Sequence, residues 1–288
     1  MIRPSKWIGL IGAAGLLACA ICGCSAIDSL TQKFMHSDKS SQNETPQVQE
    51  ANDAIFLGER QAPALGQAVA AAVLGRYGLV SDPKLTRYVN LVGLTMASVS
   101  DRPDGNWCFA VLNTDQVNSY GGPDGYVMIT LGALRQMHDE AELAGVLGNE
   151  ISHVIHHDAM HAAQAALRPR TPATTQSTLT ADQRNARFGQ AADAVAEVVL
   201  VKGYDSSQED AADAGAVSLL LAAGYDPASY LKFVQRMAQA QPQGGVAVFP
   251  THPGLSDRAA KIQGQISQLS AAGGRSNQGR FVEQTAAQ

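Results

Sequence analysis

Cysteine is scarce in most of this 288-residue chain. Three of its four cysteines lie within the first 24 residues, and only Cys108 follows them. A disulfide framework within the later part of the chain is therefore excluded. Charged residues make up 16% of the sequence, the net charge is -5, and no basic patch is present. This balance argues against a nucleic-acid-binding protein. The hydrophobic fraction of 45% allows one sizeable globular domain or two small ones.

A long apolar run is also missing. Residues 7–23 follow the positive Arg3 and Lys6, but they are rich in Ala and Gly. A membrane-spanning helix needs about 20 strongly apolar residues, so this shorter run predicts an export signal. Its end, Ile-Cys-Gly-Cys-Ser, is similar to a bacterial lipoprotein signal, in which a cysteine after a small residue is lipidated. We expect a signal peptide over residues 1–23 and lipidation at Cys24. Cys19 is the alternative site, and a plain secretory signal is the other interpretation.

Composition divides the rest of the chain into three parts. Residues 24–53 are rich in Ser, Gln, Asn and Lys, which predicts a flexible tether. Residues 54–270 carry the helical and strand patterns of a folded domain, including a predicted hairpin whose strands lie near residues 117–120 and 126–130. Residues 271–288 are rich in Gly, Ser and Gln and are expected to be a disordered tail. Within the domain, residues 166–190 predict a mobile loop beside the cleft, either a lid or a disordered insertion.

The most informative stretch is Asn-Glu-Ile-Ser-His at residues 149–153. It is similar to the zinc-peptidase motif His-Glu-x-x-His, with Asn149 in place of the first histidine. On a helix, positions 149 and 153 lie one turn apart on the same face, and Glu150 is offset by about 100°. Glu150 would then lie beside an ion held on that face, where it can accept a proton from a metal-bound water. Two other interpretations remain: an ordinary amphipathic helix, and a ligand pair shifted to His153 and His157.

Four blocks in order resemble the zinc metallopeptidase family that includes the CAAX prenyl endopeptidases, and in particular its soluble periplasmic lipoprotein members. The blocks occupy residues 118–127, 142–153, 209–213 and 251–258, and the resemblance covers roughly residues 54–270. It implies an α+β, mainly helical fold of the gluzincin type, with a small β-sheet over the active-site helix. It also implies one Zn²⁺ per chain.

The resemblance assigns roles to the matching positions. His153 and Glu209 correspond to zinc ligands, Glu150 to the catalytic base, and Asp213 to a carboxylate that orients the residue at position 149. His252 corresponds to the group that stabilises the oxyanion, and Arg258 to a residue that supports this region. The strand containing Asn118, Ser119 and Tyr120 would pair with an extended substrate.

Asn149 is the departure from the family pattern, because an amide oxygen is a poorer zinc ligand than imidazole. We consider a partial rescue, in which its oxygen faces zinc while its NH₂ group donates to Asp213. Two functions are therefore carried forward. The first is a zinc metalloendopeptidase, weakened by Asn149, that acts on unfolded or misassembled envelope proteins. The second is an inactive pseudopeptidase that serves as a lipid-anchored binding or chaperone-like module. Both would be attached by a lipid to the bacterial envelope, facing the periplasm, with the outer membrane as the expected site.

Overall fold

A computed structural model describes residues 59–166, 181–240, 248–252, 254–269, 273–286 and 288. The predicted signal peptide, lipidation sites and tether lie outside these residues. No helix in the described ranges is long and apolar enough to cross a membrane. The elements are α1 (Ala62–Tyr77), α2 (Pro83–Ala97), β1 (Cys108–Leu112), β2 (Ser119–Gly122), β3 (Tyr126–Thr130), α3 (Leu131–Arg135), α4 (Glu140–Ile155), α5 (Asp158–Ala166), α6 (Ala181–Glu197), α7 (Ser206–Ala223), α8 (Pro227–Gln239), α9 (Leu255–Ser267) and α10 (Gln278–Thr285).

A three-stranded sheet separates two hydrophobic clusters. Its order is β1-β3-β2, with β1 parallel to β3 and β2 antiparallel to β3, so the predicted hairpin is present. Alternate residues of β1 enter opposite clusters: Phe109 and Val111 pack with α2 and α4, and Ala110 and Leu112 pack with α1, α5 and α6. This alternation follows from the two-residue period of a strand. The α+β, mainly helical fold expected from the sequence is confirmed.

Helix α4 is the central element of the domain. Asp139 caps it by accepting a hydrogen bond from the backbone N–H of Glu142, and every residue from Glu140 to Val154 is buried. Helix α7 packs closely along α4 because small residues line the contact. A Cβ atom added to Gly215 on α7 would lie only 2.3 Å from Oγ of Ser152. This close approach allows polar side chains of α4 and α7 to contact one another.

The expectation of a disordered tail is wrong for residues 278–285, which form α10. The preceding segment joins the N-terminus of α4: the carbonyl oxygen of Ser276 accepts hydrogen bonds from the backbone N–H groups of Glu140 and Ala141. Phe281 of α10 is buried, and Arg280 pairs with the buried Glu140. The Gly-, Ser- and Gln-rich composition gave no sign of the amphipathic helix at residues 278–285.

The predicted loop over residues 166–190 is also wrong in its second half. Residues 181–190 belong to α6, which packs on α1 and α5. Residues 167–180, where a lid was considered, lie outside the described residues. The polar composition of this segment suits a helix with one exposed face as well as it suits a loop.

Candidate functional site

Glu209 and Asp213 are presented by α7, which begins with a complete capping box. The Asp205 side chain accepts from the backbone N–H of Gln208, and Oε1 of Gln208 accepts from the backbone N–H of Asp205. The chain enters this cap through Gly203, whose φ of 70° and close approach to the Thr251 carbonyl leave no room for a Cβ atom. Glu209 and Asp213 lie one turn apart, and both face α4.

His153, Glu209 and His252 converge at a buried point. Nε2 of His153 lies 3.7 Å from Oε1 of Glu209, and Nδ1 of His252 lies 3.0 Å from the same oxygen. One nitrogen or oxygen from each of the three side chains can be chosen so that all lie within 4.8 Å of one another. The convergence of residues 153 and 209 was expected from the sequence. The position of His252 was not: it lies within the group of candidate ligands rather than beside it.

Asn149 is held by a polar network on the side of the site next to α9. Its Nδ2 donates to Oδ1 of Asp213 at 2.9 Å. The same carboxylate accepts from the Tyr230 hydroxyl at 2.7 Å and forms a two-bond pair with Arg258. Since a carboxylate can only accept, the amide nitrogen must face Asp213, and the amide oxygen is the one atom of Asn149 that could bind an ion.

Arg258 links this network to the candidate ligands. Its Nη1 lies 2.7 Å from Oε2 of Glu209. The Arg258 guanidinium therefore lies against Oε2 of Glu209. Oε1 of Glu209 faces the imidazoles of His153 and His252. Asp213, for which an orienting role was expected, accepts from Asn149, and Arg258, for which a supporting role was expected, contacts both Glu209 and Asp213.

His252 lies between two buried carboxylates. Its Nε2 is 3.1 Å from Oε1 of Glu150 and 3.2 Å from the Ser119 carbonyl oxygen, while its Nδ1 faces Glu209. Burial alone would lower the pKa of His252, but the two carboxylates outweigh burial and raise it to about 10. The same pairing keeps the pKa of Glu150 and of Glu209 below the usual value despite burial. Without a metal, protonated His252 therefore supplies the positive charge between them.

The donor set fits a zinc ion. Two imidazoles and a carboxylate are ligands that catalytic zinc accepts. Nε2 of His153 is buried with no hydrogen-bond partner, although an unpaired buried polar atom is costly. Oε2 of Glu150 is also unpaired, while Oε1 of Glu150 accepts from the Ser119 hydroxyl at 2.6 Å. An ion bound to Nε2 of His153 would give this buried nitrogen the partner that it lacks among the protein atoms.

Sequence reasoning missed Tyr230, which donates to Asp213, and two residues that contact His153. Oδ2 of Asp158 lies 2.8 Å from Nδ1 of His153, and the ring of Tyr204 stacks on His153 with centroids 4.1 Å apart. Asp158 lies only five residues after His153, so a carboxylate shortly after the motif could have been recognised in the sequence. The shifted ligand pair is not supported among the described residues: His157 turns away, with its Nε2 3.7 Å from Glu59.

The predicted substrate strand forms an edge of the sheet, but that edge is covered. Asn118, Ser119 and Tyr120 are all buried. Phe249 donates its backbone N–H to the carbonyl of Val117, and Nε2 of His252 contacts the Ser119 carbonyl. A substrate could pair here only if residues 248–252 moved.

Comparisons with known proteins show which family and relatives this chain is similar to. Residues 83–266, more than half of the chain, match Peptidase family M48. The Beta-barrel assembly-enhancing protease of Escherichia coli (strain K12) is 23% identical over 226 residues, which cover 76% of this chain and 46% of that protein. The Metalloprotease YcaL of the same strain is 25% identical over 162 residues, 55% of this chain and 62% of the relative. The Mitochondrial metalloendopeptidase OMA1 of Schizosaccharomyces pombe is 28% identical over 196 residues, covering 66% and 57%. The chain spans about half the length of the first of these relatives.

Proposed function

The chain belongs to peptidase family M48, and from this premise we propose that it is a zinc-dependent metalloendopeptidase of the bacterial cell envelope. One observation carries the proposal: the ligand atoms of His153, Glu209 and His252 lie within 4.8 Å of one another. Glu150 lies beside them, with its Oε1 3.1 Å from Nε2 of His252.

His153, Glu209 and His252 would hold the ion, with the Asn149 oxygen as a weak additional donor. A zinc ion at such a site lowers the pKa of a bound water to about 7. Glu150 is the proton acceptor, because the Ser119 hydroxyl fixes one of its oxygens and leaves the other free. To serve as a ligand, His252 must lose the proton that it shares with the carboxylates, so zinc binding releases a proton.

Asn149 weakens this site rather than abolishing it. In the His-Glu-x-x-His pattern, position 149 supplies an imidazole, and here it supplies at most a neutral amide oxygen. With His252, the site would have three strong ligands, the other two being His153 and Glu209. The same histidine is then unavailable for the oxyanion role expected from the sequence, and the pairing of Arg258 with Glu209 and Asp213 leaves no other cation free in this network. We therefore expect slow hydrolysis.

Unfolded or misassembled envelope proteins are the proposed substrates. An extended chain could pair with β2 once residues 248–252 move, and an unfolded segment is the form of protein that can offer such a strand. A relative named for enhancing β-barrel assembly supports an envelope substrate. Membrane attachment through lipidated Cys24, or Cys19, and membership of the soluble periplasmic lipoprotein branch remain part of this proposal. So does the outer membrane as the location.

The proposal is tested on purified mature protein. Its zinc content is measured after dialysis, and cleavage of reduced, unfolded casein is followed with and without zinc. The control is Glu150→Gln, which keeps the volume of the side chain and removes the base. We expect one zinc per chain and cleavage that falls by about 10²–10⁴-fold in the variant. Unchanged cleavage by Glu150→Gln would show that another agent cuts the substrate.

Asn149 favours a second candidate, an inactive pseudopeptidase that serves as a lipid-anchored binding or chaperone-like module for unfolded proteins. This candidate predicts that the protein suppresses aggregation of an unfolded client equally well in the wild type and in Glu150→Gln. It also predicts no cleavage at saturating zinc. Cleavage that depends on both zinc and Glu150 would reject it.

A further inference from the structure

A left-handed turn after α4 brings the side chain of Asp158 into contact with His153 of that helix. Helix α4 ends at Ile155, and His157 has a φ of 56°, a conformation that non-glycine residues adopt at a cost. This turn starts α5 at Asp158 and places its carboxylate 2.8 Å from Nδ1 of His153. Both side chains are buried.

The other carboxylate oxygen of Asp158 accepts a hydrogen bond from α7, the helix that carries Glu209. Nε2 of Gln208 donates to Oδ1 of Asp158 at 3.1 Å, while Oε1 of Gln208 accepts from the backbone N–H of Asp205 in the capping box of α7. Gln208 immediately precedes Glu209. One amide side chain therefore connects the start of the helix that carries Glu209 to the carboxylate that contacts His153.

We infer that Asp158 and Gln208 are positioning residues that fix the orientation and tautomer of His153. This inference rests on the proposed zinc site. With its proton on Nδ1, shared with Asp158, His153 presents a lone pair at Nε2 toward Glu209. Carboxylate contacts of this kind set ring orientation and raise the basicity of a ligand histidine, and their loss costs about 10–100-fold in metal affinity.

The surroundings of His153 assign this task to Asp158. Nε2 has no hydrogen-bond partner, so only contacts elsewhere on the ring can set its direction. Tyr204 stacks on the face of the ring at 4.1 Å and restricts its tilt, but stacking does not select which nitrogen is protonated. Asp158 is the acceptor at Nδ1, and Gln208 keeps that acceptor in place.

The first test compares zinc affinity, by competition with a chromogenic chelator, in the wild type, Asp158→Asn and Gln208→Ala. Asp158→Asn keeps the side-chain shape but removes the charge. We expect its zinc dissociation constant to rise about 10–100-fold, with a smaller rise for Gln208→Ala. Asp210→Asn is the matched control on the same turn of α7, where Asp210 pairs with Lys261 at the surface, and its affinity should match the wild type. Thermal unfolding of the metal-free variants shows that the fold is kept.

The second test detects the tautomer of the His153 ring in protein that contains no zinc. ¹⁵N NMR of histidine-labelled, metal-free protein is compared with Asp158→Asn, and we expect the His153 Nδ1 signal to shift while that of His156 does not. If the wild type binds no zinc, the proposed function fails, and the NMR comparison alone decides the inference. Equal zinc affinity in Asp158→Asn, or an unchanged His153 signal, would overturn it.

Discussion

The amide nitrogen of Asn149 donates to Oδ1 of Asp213 at 2.9 Å, in a carboxylate network that also includes Tyr230 and Arg258. An imidazole at position 149 could make the same bond through an N–H group and still present its second nitrogen to an ion. The network around Asn149 is therefore suited to a ligand histidine, although the sequence supplies an amide.

Replacing Asn149 by histidine should strengthen metal binding. A cavity of about 20 Å³ beside Asn149 provides part of the added volume. An imidazole is a stronger donor than an amide oxygen, so we expect the zinc dissociation constant to fall at least about tenfold, equivalent to about 1.4 kcal/mol. Chelator competition measures it, with Asn149→Ala as the comparison. If Asn149→His bound zinc no more tightly than Asn149→Ala, position 149 would not face the ion.

Removing His252 should destabilise the metal-free protein. In His252→Gln, Glu150 and Glu209 lose the cation between them, and breaking such a buried arrangement costs about 3–5 kcal/mol. Because the pKa of His252 is raised from 6.5 to about 10, its contribution is fully present below pH 6.5 and is lost as the pH rises through about 10.

Urea unfolding of chelator-treated protein across this pH range measures the free-energy difference between wild type and variant. His156→Gln, at an exposed position just after α4, is the control and should leave stability unchanged. A difference that stayed constant from pH 6 to pH 10 would contradict the assigned charge of His252.

Arg280→Ala should loosen the C-terminal segment. Glu140 is fully buried and also accepts from the Tyr88 and Tyr225 hydroxyls, so loss of Arg280 leaves a buried carboxylate without its cation. We expect a loss of about 2 kcal/mol at neutral pH. Burial opposes ionisation, but the bonds from Arg280, Tyr225 and Asn277 lower the pKa of Glu140 below its ordinary 4.5. The loss should therefore be present above pH 4.5 and shrink as the pH falls further.

Chemical unfolding at several pH values checks this prediction. Lys84→Ala is the control, because Lys84 contacts the Glu283 carbonyl of the same segment at the surface. If Arg280→Ala and Lys84→Ala lost the same free energy of unfolding, the pairing of Arg280 with Glu140 would not stabilise the protein more than a surface contact does.

Gly145→Ala should be harmful although alanine favours helices. A Cβ atom at Gly145 would lie 2.5 Å from the ring of Tyr230, whose hydroxyl binds Asp213. We expect about 1–3 kcal/mol of destabilisation from overpacking, together with weaker zinc binding. Gly75→Ala is the matched control: nothing lies within 4 Å of its added Cβ atom, so this change should stabilise the protein by up to about 1 kcal/mol. Thermal unfolding that gave both variants the same sign would contradict the packing argument.

Local patterns were sufficient for much of the fold. The short apolar run at residues 108–112 and the turn residues before β3 predict strands, and Asp139 or Glu140 is predicted to open α4. These signals act over a few neighbouring residues, and the structure agrees with them. The pairing of Glu209 with His153 came from family resemblance rather than from such patterns. Composition failed at residues 181–190 and 278–285, where a polar sequence becomes helical because one face packs on the domain.

The sequence by itself determined which chemical groups this protein has: an amide at position 149, a glutamate beside it, and an imidazole one turn later. Only the tertiary structure decided how they are combined. It placed His252 between Glu150 and Glu209. It also brought Asp158 into contact with His153, and it covered the edge of β2 with residues 248–252. These contacts join residues from separate helices and loops, and their distances depend on how α4 and α7 pack. Helical period and residue type cannot specify that packing.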